Sequence, residues 1–228
     1  MITFEDVSKV YPGQTEPALS RVSAEIEKGE FVFLVGASGS GKSTFLRMII
    51  REHRPTSGRV FVLGKDLGKL HQWKVPALRR QIGAVFQDFR LLPGKTVAEN
   101  IAFGLQVLGR PPAEIDEKVA DTLQLVGLSG KDDRLPEELS GGEQQRTAIA
   151  RAVVNDPKIL IADEPTGNLD PQTSVGIMKL LDRINRRNTT VIMATHDSTI
   201  VDQMRRRVLE LEDGKLIRDQ ARGVYGTA

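Results

Sequence analysis

Cysteine is absent from this 228-residue chain, tryptophan occurs once and tyrosine only twice. Without cysteine, disulfides and thiolate metal sites are excluded. No apolar run approaches the roughly 20 residues needed to cross a bilayer, so membrane attachment is expected only through a partner. The N-terminus runs straight into an alternating segment, with no apolar signal-peptide core. An excess of one charge is also missing. Lys and Arg total 32 against 30 Asp and Glu, a net charge of +2 that gives no support to wholesale nucleic-acid binding. The basic clusters Arg79-Arg80, Arg186-Arg187 and Arg205-Arg206-Arg207 read as solvated faces or structural ion pairs, with lipid or partner contact as the alternative. Low-complexity tracts and internal repeats are lacking too, and only the tail after Ala221 is expected to fray.

What is present is enough apolar sequence, 39% of residues, to bury a substantial core in one globular unit. It also includes a glycine loop of definite chemistry. Gly36-Ala37-Ser38-Gly39-Ser40-Gly41-Lys42-Ser43 fits the P-loop pattern G-x-x-x-x-G-K-[ST] without a mismatch. Phe31–Val35 before it reads as a buried strand, and Phe45, Leu46, Ile49 and Ile50 after it recur at helical spacing. Strand, glycine loop and helix is the order in which backbone amides wrap phosphates. Lys42 would reach the β- and γ-phosphates, and the Ser43 hydroxyl, with Thr44 beside it, would sit where Mg²⁺ is ligated.

About a hundred residues later a second anion-reading loop follows, Leu139-Ser140-Gly141-Gly142-Glu143-Gln144-Gln145-Arg146. Ser140 precedes two glycines, which carry no Cβ to obstruct an anion facing their N–H groups. The run through Arg151 reads as a helix whose N-terminal amides point the same way. Two such loops could serve one nucleotide or be offered to two different ones.

Hydrolysis needs carboxylates as well. Lys158–Glu164 is an apolar strand ending in two acids, with Asp163 placed to hold Mg²⁺ through its water shell and Glu164 to polarise the attacking water. Asp170-Pro171 marks a helix start. Thr189–Ala194 is another strand, delivering Thr195-His196-Asp197 to the edge where open α/β sheets bind ligands. His196 reads as a γ-phosphate sensor and Asp197 as the cap of the helix from Ser198. Ile82–Gln87 is a short strand ending in Gln87, which can bond a metal-bound water. Tyr11, after an alternating strand, could stack on adenine.

The element order begins with two antiparallel-type strands, Ile2–Val7 and Val22–Glu27. Helical spacing recurs over Thr96–Leu108, Pro112–Val126 and Gly142–Val154 with no clear strand among them, a block that reads as an inserted helical subdomain. The chain closes on a hairpin, Val208–Leu211 with Lys215–Arg218, turned by Glu212-Asp213-Gly214. The expected fold class is α/β: a P-loop NTPase core, an antiparallel β subdomain and the helical insert. The expected boundaries are 1–87 with 156–228 for the core and 88–155 for the insert, within one domain.

Taken in order, these segments resemble the ATP-binding cassette (ABC) ATPase family over nearly the whole chain. Tyr11 matches its aromatic loop, 36–43 its P-loop and Gln87 its glutamine loop. Residues 139–146 match its signature, Asp163-Glu164 its acidic pair, Asn168-Leu169-Asp170 its D-loop and His196 its switch histidine. The resemblance implies an ATPase using ATP and Mg²⁺, and a head-to-tail homodimer formed on ATP binding. Ser140, Gly141 and Gly142 would then touch the partner's nucleotide, with Asp170 nearby. It also implies an integral membrane partner received at a cleft bordered by Phe86, Gln87, Asp88 and Phe89, and so a place at the cytoplasmic face of the membrane. The runs 51–58, Val75–Leu92 and Ala150–Asp170 carry the likeness further, toward members serving bacterial cell division. Members that drive lipoprotein release or macrolide export share much of the same wording, and they are the alternative.

Overall fold

Residues 1–225 are described in a computed structural model. Along the chain the elements begin β1 (Ile2–Lys9), β2 (Leu19–Ile26), β3 (Phe31–Val35), α1 (Lys42–Ile49), β4 (Ser57–Val62), β5 (Lys65–Asp66) and α2 (Val75–Arg79). There follow β6 (Ile82–Val85), α3 (Val97–Val107), α4 (Pro112–Val126), α5 (Gly141–Val153), β7 (Ile159–Asp163) and α6 (Pro171–Arg186). The series closes with β8 (Thr190–Ala194), α7 (Ser198–Met204), β9 (Arg207–Glu212) and β10 (Lys215–Gln220). The chain divides into two units, one of Met1–Arg79 with Thr190 onward, the other of Arg80–Thr189.

In the first unit, β1 lies between β2 and β4, all antiparallel, with β5 on the far side of β4. Its apolar residues alternate inward except where the register shifts, between Phe4 and Val7 and between Leu19 and Val22: Ile2, Phe4 and Val7 from β1, and Leu19, Val22, Ala24 and Ile26 from β2 are buried. That alternation is what a sheet covered on one face requires. The Phe4 ring stacks on Phe45 of α1 at 4.0 Å and 6°, fixing the helix that follows the P-loop against this sheet. The same unit carries a second set of strands. β3 pairs in parallel with β8 on one side and β9 on the other, and β10 turns back antiparallel on β9. Every residue of β3 and β8 is buried. Parallel strands covered on both faces read as unbroken apolar runs, as Phe31–Val35 and Val191–Ala194 do. Each Val, Leu, Ile, Met or Phe among them contributes about 1.5–3 kcal/mol by leaving water.

The second unit holds the parallel pair β6–β7 and the helices α3 to α6. The helix starts follow the capping chemistry of their sequences. Thr96 and Glu99 form a reciprocal capping box on α3, Ser140 and Glu143 form another on α5, and Asp170 caps α6 ahead of Pro171. α4 ends at Gly127, which takes the left-handed conformation with φ 72°. α3, α4 and α5 pack on one another.

Two expectations change. The hairpin β4–β5 was not foreseen. Its two-residue turn, Leu63-Gly64, has φ of 52° and 73° and joins the pair Val62↔Lys65. Leucine is an unusual first residue for a turn with both φ positive, so the usual Asn-Gly or Asp-Gly signal is missing. The tail, expected to fray after Ala221, stays tied further on: Gly223 N donates to Arg206 O, and Tyr225 N to an Asp202 carboxylate oxygen. The remainder of that expectation, 226–228, lies outside the described residues.

Candidate nucleotide site

The P-loop occupies the turn between β3 and α1 in the first unit, and three of its glycines have positive φ: Gly36 at 140°, Gly39 at 82° and Gly41 at 106°. Two of them are also pressed by backbone. A Cβ on Gly36 would stand 2.1 Å from Leu211 O, and one on Gly41 2.5 Å from Ala18 O. The loop is therefore gripped from outside. Gly214 N, in the β9–β10 turn, donates to Ser40 O at 3.2 Å, and Ser20 N donates to Gly214 O at 2.8 Å. The sequence reads Gly214 only as part of the hairpin turn, because its contact with the loop is made by tertiary packing alone.

Within that grip the loop offers donors to an anion. Lys42 is 6% exposed, and its ammonium donates to Gly36 O at 2.8 Å and Ala37 O at 2.9 Å, which fixes it over the loop. Ser40 Oγ is buried without a hydrogen-bond partner among the described residues. A buried hydroxyl in that condition is costly unless something accepts or donates there. Beyond Gly39 a Cβ would meet nothing within 4 Å, so the loop presents open space on that side. Gly41 leaves the start of α1 without a side-chain cap, and no acid stands in its first turn. Ser38 and Ser43 are exposed, and Thr44 is buried. These features fit a polyphosphate.

Tyr11 comes to the same place. Its hydroxyl lies 3.1 Å from Thr44 Oγ1, and its ring meets His53 edge-on at 5.2 Å. His196 is exposed just past β8, and since β8 is parallel to β3, His196 and the P-loop leave the same edge of their strands. Thr195 N donates to Leu34 O, and Thr195 Oγ1 accepts from Asp197 N, holding the peptide on each side of His196. Asp197 caps α7 by accepting from Ile200 N at 3.2 Å.

The second unit brings its own predicted residues into one run. Asp163 ends β7, half-buried, and Glu164 turns the chain with φ 48°. A non-glycine residue in the left-handed region is a local cost that persists where surrounding structure holds it. The turn closes with Gly167 N donating to Glu164 O. At Gly167 a Cβ would lie 3.3 Å from Gln87 Nε2 and 3.5 Å from Glu164 Oε2, so the two side chains converge on that bare backbone. Asn168 latches Gln87 reciprocally: Gln87 Nε2 donates to Asn168 Oδ1, and Asn168 Nδ2 donates to Gln87 O, both at 3.4 Å. The loop after Gln87 passes through Phe89 and Arg90 at φ 54° and 49°. Arg151 of α5 donates to Phe89 O at 3.1 Å, and burial lowers its guanidinium from the ordinary value. Asn168 and Arg151 had no sequence signal as partners of this loop, because both bonds end on positions fixed only by folding.

The signature loop forms the start of α5. Ser140 Oγ accepts from Glu143 N at 3.3 Å and donates to Glu143 Oε2 at 2.9 Å, while Ser140 N donates to the same carboxylate oxygen at 2.9 Å. The Ser140 backbone donor, then Lys131 and the Ser140 hydroxyl, hold the Glu143 carboxyl below the ordinary carboxylate range. Lys131 Nζ lies 3.1 Å from Glu143 Oε1. The glycines serve packing here as well as exposure. A Cβ on Gly142 would stand 2.5 Å from Thr173 Cγ2, and one on Gly141 3.4 Å from Leu169 Cδ2. Asp170 beside them caps α6, accepting from Thr173 N at 2.9 Å and from the Thr173 hydroxyl, which hold its carboxyl below its usual value. Arg146 ends the loop by donating to Val126 O at 2.8 Å, tying α5 to the C-terminus of α4.

For a divalent metal the available donors are oxygens. Among the described residues no three His, Cys, Asp or Glu side chains gather as a metal cage. Ser43 in the first unit, and Asp163 and Gln87 in the second, are each oxygen donors of the kind Mg²⁺ accepts.

The chain is similar to known proteins over nearly its whole length. Residues 19–167 match the family model described as ABC transporter. The cell division ATP-binding protein FtsE of Mycobacterium tuberculosis is 59% identical over 226 residues, covering 99% of this chain and 98% of that protein. FtsE of Bacillus subtilis is 52% identical over 227 residues, covering 100% and 99%. Among solved structures, the dimeric post-hydrolysis state of the ATP-binding cassette MJ0796 bound to ADP and Pi has a TM-score of 0.88. It is 36% identical and covers 98% of this chain and 100% of that one.

Proposed function

The chain belongs to the ABC transporter family of ATPases, and from that premise we propose that it is the ATP-hydrolysing subunit of a bacterial cell-division complex. Its membrane partner would resemble FtsX, and its cycle would reshape that partner so as to regulate peptidoglycan hydrolysis from the cytoplasmic face of the membrane. The observation that carries this reading is likeness to FtsE proteins along essentially the whole chain. A lipoprotein-release or macrolide-export motor, the alternative, is not favoured by those relatives.

The chemistry follows from residues already placed. Gly36, Ser38, Gly39, Ser40 and Gly41 supply the phosphate cradle, Lys42 the fixed cation over it, and Thr44 with Tyr11 the wall on which adenine stacks. Ser43, Asp163 and Gln87 would hold Mg²⁺, which when bound neutralises charge across the β- and γ-phosphate oxygens. Glu164 accepts the proton of water as its oxygen bonds to the γ-phosphorus. The bond to the bridging oxygen breaks, and ADP leaves with the electron pair. His196 donates to the γ-phosphate oxygens and reports their loss. Ser140, Gly141 and Gly142 face the nucleotide of a second copy, with Asp170 bordering that contact. Two shared nucleotides would close a homodimer, and hydrolysis would reopen it.

Affinity capture from solubilised membranes tests the assignment. The intact chain with Glu164→Gln and Mg-ATP is expected to retain one FtsX-like integral protein. Recovery of a permease of the lipoprotein-release or macrolide-export kind in its place would overturn it.

A further inference from the structure

The only tryptophan of the chain, Trp73, is 74% exposed. It is not on a loose loop. Gln72–Lys74 forms a 3-10 turn leading into α2, and Leu70, Val75 and Leu78 around it are buried and pin the segment. The indole is thus presented outward by a fixed piece of backbone, with the Lys74 ammonium 4.9 Å from its ring centroid.

The surroundings are cationic. From Leu67 to Gln87 there is no Asp or Glu, while Lys69, Lys74, Arg79 and Arg80 all carry charge and His71 stands beside the turn. The fold adds more. Arg51 donates to Leu67 O and Leu70 O, bracketing Lys69, and Arg79 donates to Ile50 O and Arg51 O. Burial, followed by the Arg54 and Arg79 charges, lowers the Arg51 guanidinium from its ordinary value. The nearest acids in sequence do not compensate. Asp66 accepts from Gly68 N and Lys69 N, and Glu52 is exposed at the end of α1. Among the described residues, Lys69, Lys74, Arg54 and Arg79 have no acidic partner.

The other basic clusters differ. Arg207 is clamped between Glu30 and Asp219, and Arg186 pairs with Asp182. Those are the structural ion pairs expected of a soluble surface. A lone exposed apolar side chain would need no explanation, but an indole with an ammonium against its ring, on a segment whose cations have no acidic partners, has the chemistry of the bilayer interface. Tryptophan partitions to headgroup depth, and each Lys or Arg gains from an anionic leaflet. A protein partner would call for an apolar groove around the anchor, whereas Gln72, Lys74 and Pro76 beside it are all exposed.

We propose that the Trp73 turn docks directly on anionic phospholipid, with the indole among the headgroups and Lys69 and Lys74 over lipid phosphates. This contact goes beyond attachment through a membrane partner and does not depend on it. One aromatic and a few cations give a weak, reversible contact, suited to orienting a peripheral ATPase.

Because Trp73 is the sole tryptophan, its emission reports the contact in the full chain. Purified protein is titrated with vesicles of phosphatidylcholine, with and without phosphatidylglycerol, containing no protein partner. Only the anionic vesicles are expected to shift the emission to shorter wavelength, with quenching by brominated acyl chains and reversal by high salt. Trp73→Ala should lose most co-sedimentation while keeping wild-type circular dichroism and basal ATPase. Lys74→Gln, with the indole intact, should weaken binding about fivefold. Unchanged emission on anionic vesicles, or an equal shift on zwitterionic ones, would overturn the proposal. So would a shift seen only with vesicles carrying the membrane protein, which would assign the patch to a protein surface. Each of these outcomes leaves the identity of the captured partner untouched, so the two readings fail separately.

Discussion

The two glycine loops of this chain look alike in sequence and are built for different ends. In the P-loop, Gly36, Gly39 and Gly41 have φ between 82° and 140°, so the backbone path itself requires glycine. In the signature loop, Gly141 and Gly142 have no positive φ and open an α-helix. There Gly142 is required by the methyl of Thr173, not by its own torsion. The polar groups differ in the same sense. The buried Ser40 hydroxyl has no partner among the described residues, whereas the Ser140 hydroxyl is already engaged by Glu143. One loop is an incomplete cradle with its cation in place. The other is a finished helix start that presents its end outward, as a surface offered to a second copy would be.

The largest effect separating the loops is expected at Lys42. Lys42→Ala should reduce ATP turnover to background while the protein still folds, since what the chain itself loses is two hydrogen bonds to loop carbonyls, a cost of about 1–3 kcal/mol. Wild-type turnover in that variant would remove the P-loop from the mechanism.

Glycine replacements should come next, and unequally. Gly36→Ala combines a positive φ with a carbonyl 2.1 Å from the new Cβ, and urea unfolding should show a loss of about 3 kcal/mol or more. Gly142→Ala meets only a side-chain methyl, so about 1–3 kcal/mol is expected. In a Thr173→Ser background, which removes that methyl and keeps the hydroxyl on Asp170, most of the penalty should vanish in a double-mutant cycle. Equal penalties at both glycines, insensitive to Thr173, would erase the distinction.

The smallest effect lies in the capping box. Its folded-state carboxyl, Glu143, titrates below its unfolded value, so its contribution is present above the ordinary glutamate pKa of about 4.3 and is lost as pH falls through the lower folded value. At pH 7, Glu143→Ala should cost about 1 kcal/mol, as cap removals do. The gap between wild type and variant should narrow as pH drops below the ordinary carboxylate range. A gap that widens on acidification would contradict the assigned hydrogen bonds.

Much of this architecture was legible because local chemistry and tertiary role coincide. Phe31–Val35 announces a buried strand, and Asp170-Pro171 announces a helix start that the structure places at Pro171. The P-loop motif names its own geometry. What stayed hidden depends on contacts distant in sequence. Gly214 bracing Ser40, Asn168 latching Gln87 and Arg151 holding Phe89 O are bonds between segments whose neighbourhood only the fold decides. The β4–β5 hairpin was hidden for a local reason, a Leu-Gly turn in place of the residues that tolerate positive φ. The signature glycines were legible as glycines, but their packing against Thr173 was not.

The central claim is that residues 139–146 serve another copy's nucleotide and not their own. Size-exclusion chromatography with light scattering, run on Glu164→Gln with and without a second change, Ser140→Arg, tests it most directly when paired with ATP titration. The single variant with saturating Mg-ATP should run at twice the 25.1 kDa chain mass. The double variant should run as a monomer that binds ATP as tightly as the single variant does in its monomeric form. A double variant that stays dimeric would contradict the shared site, and a monomer that loses ATP affinity would show that Ser140 grips the nucleotide of its own chain.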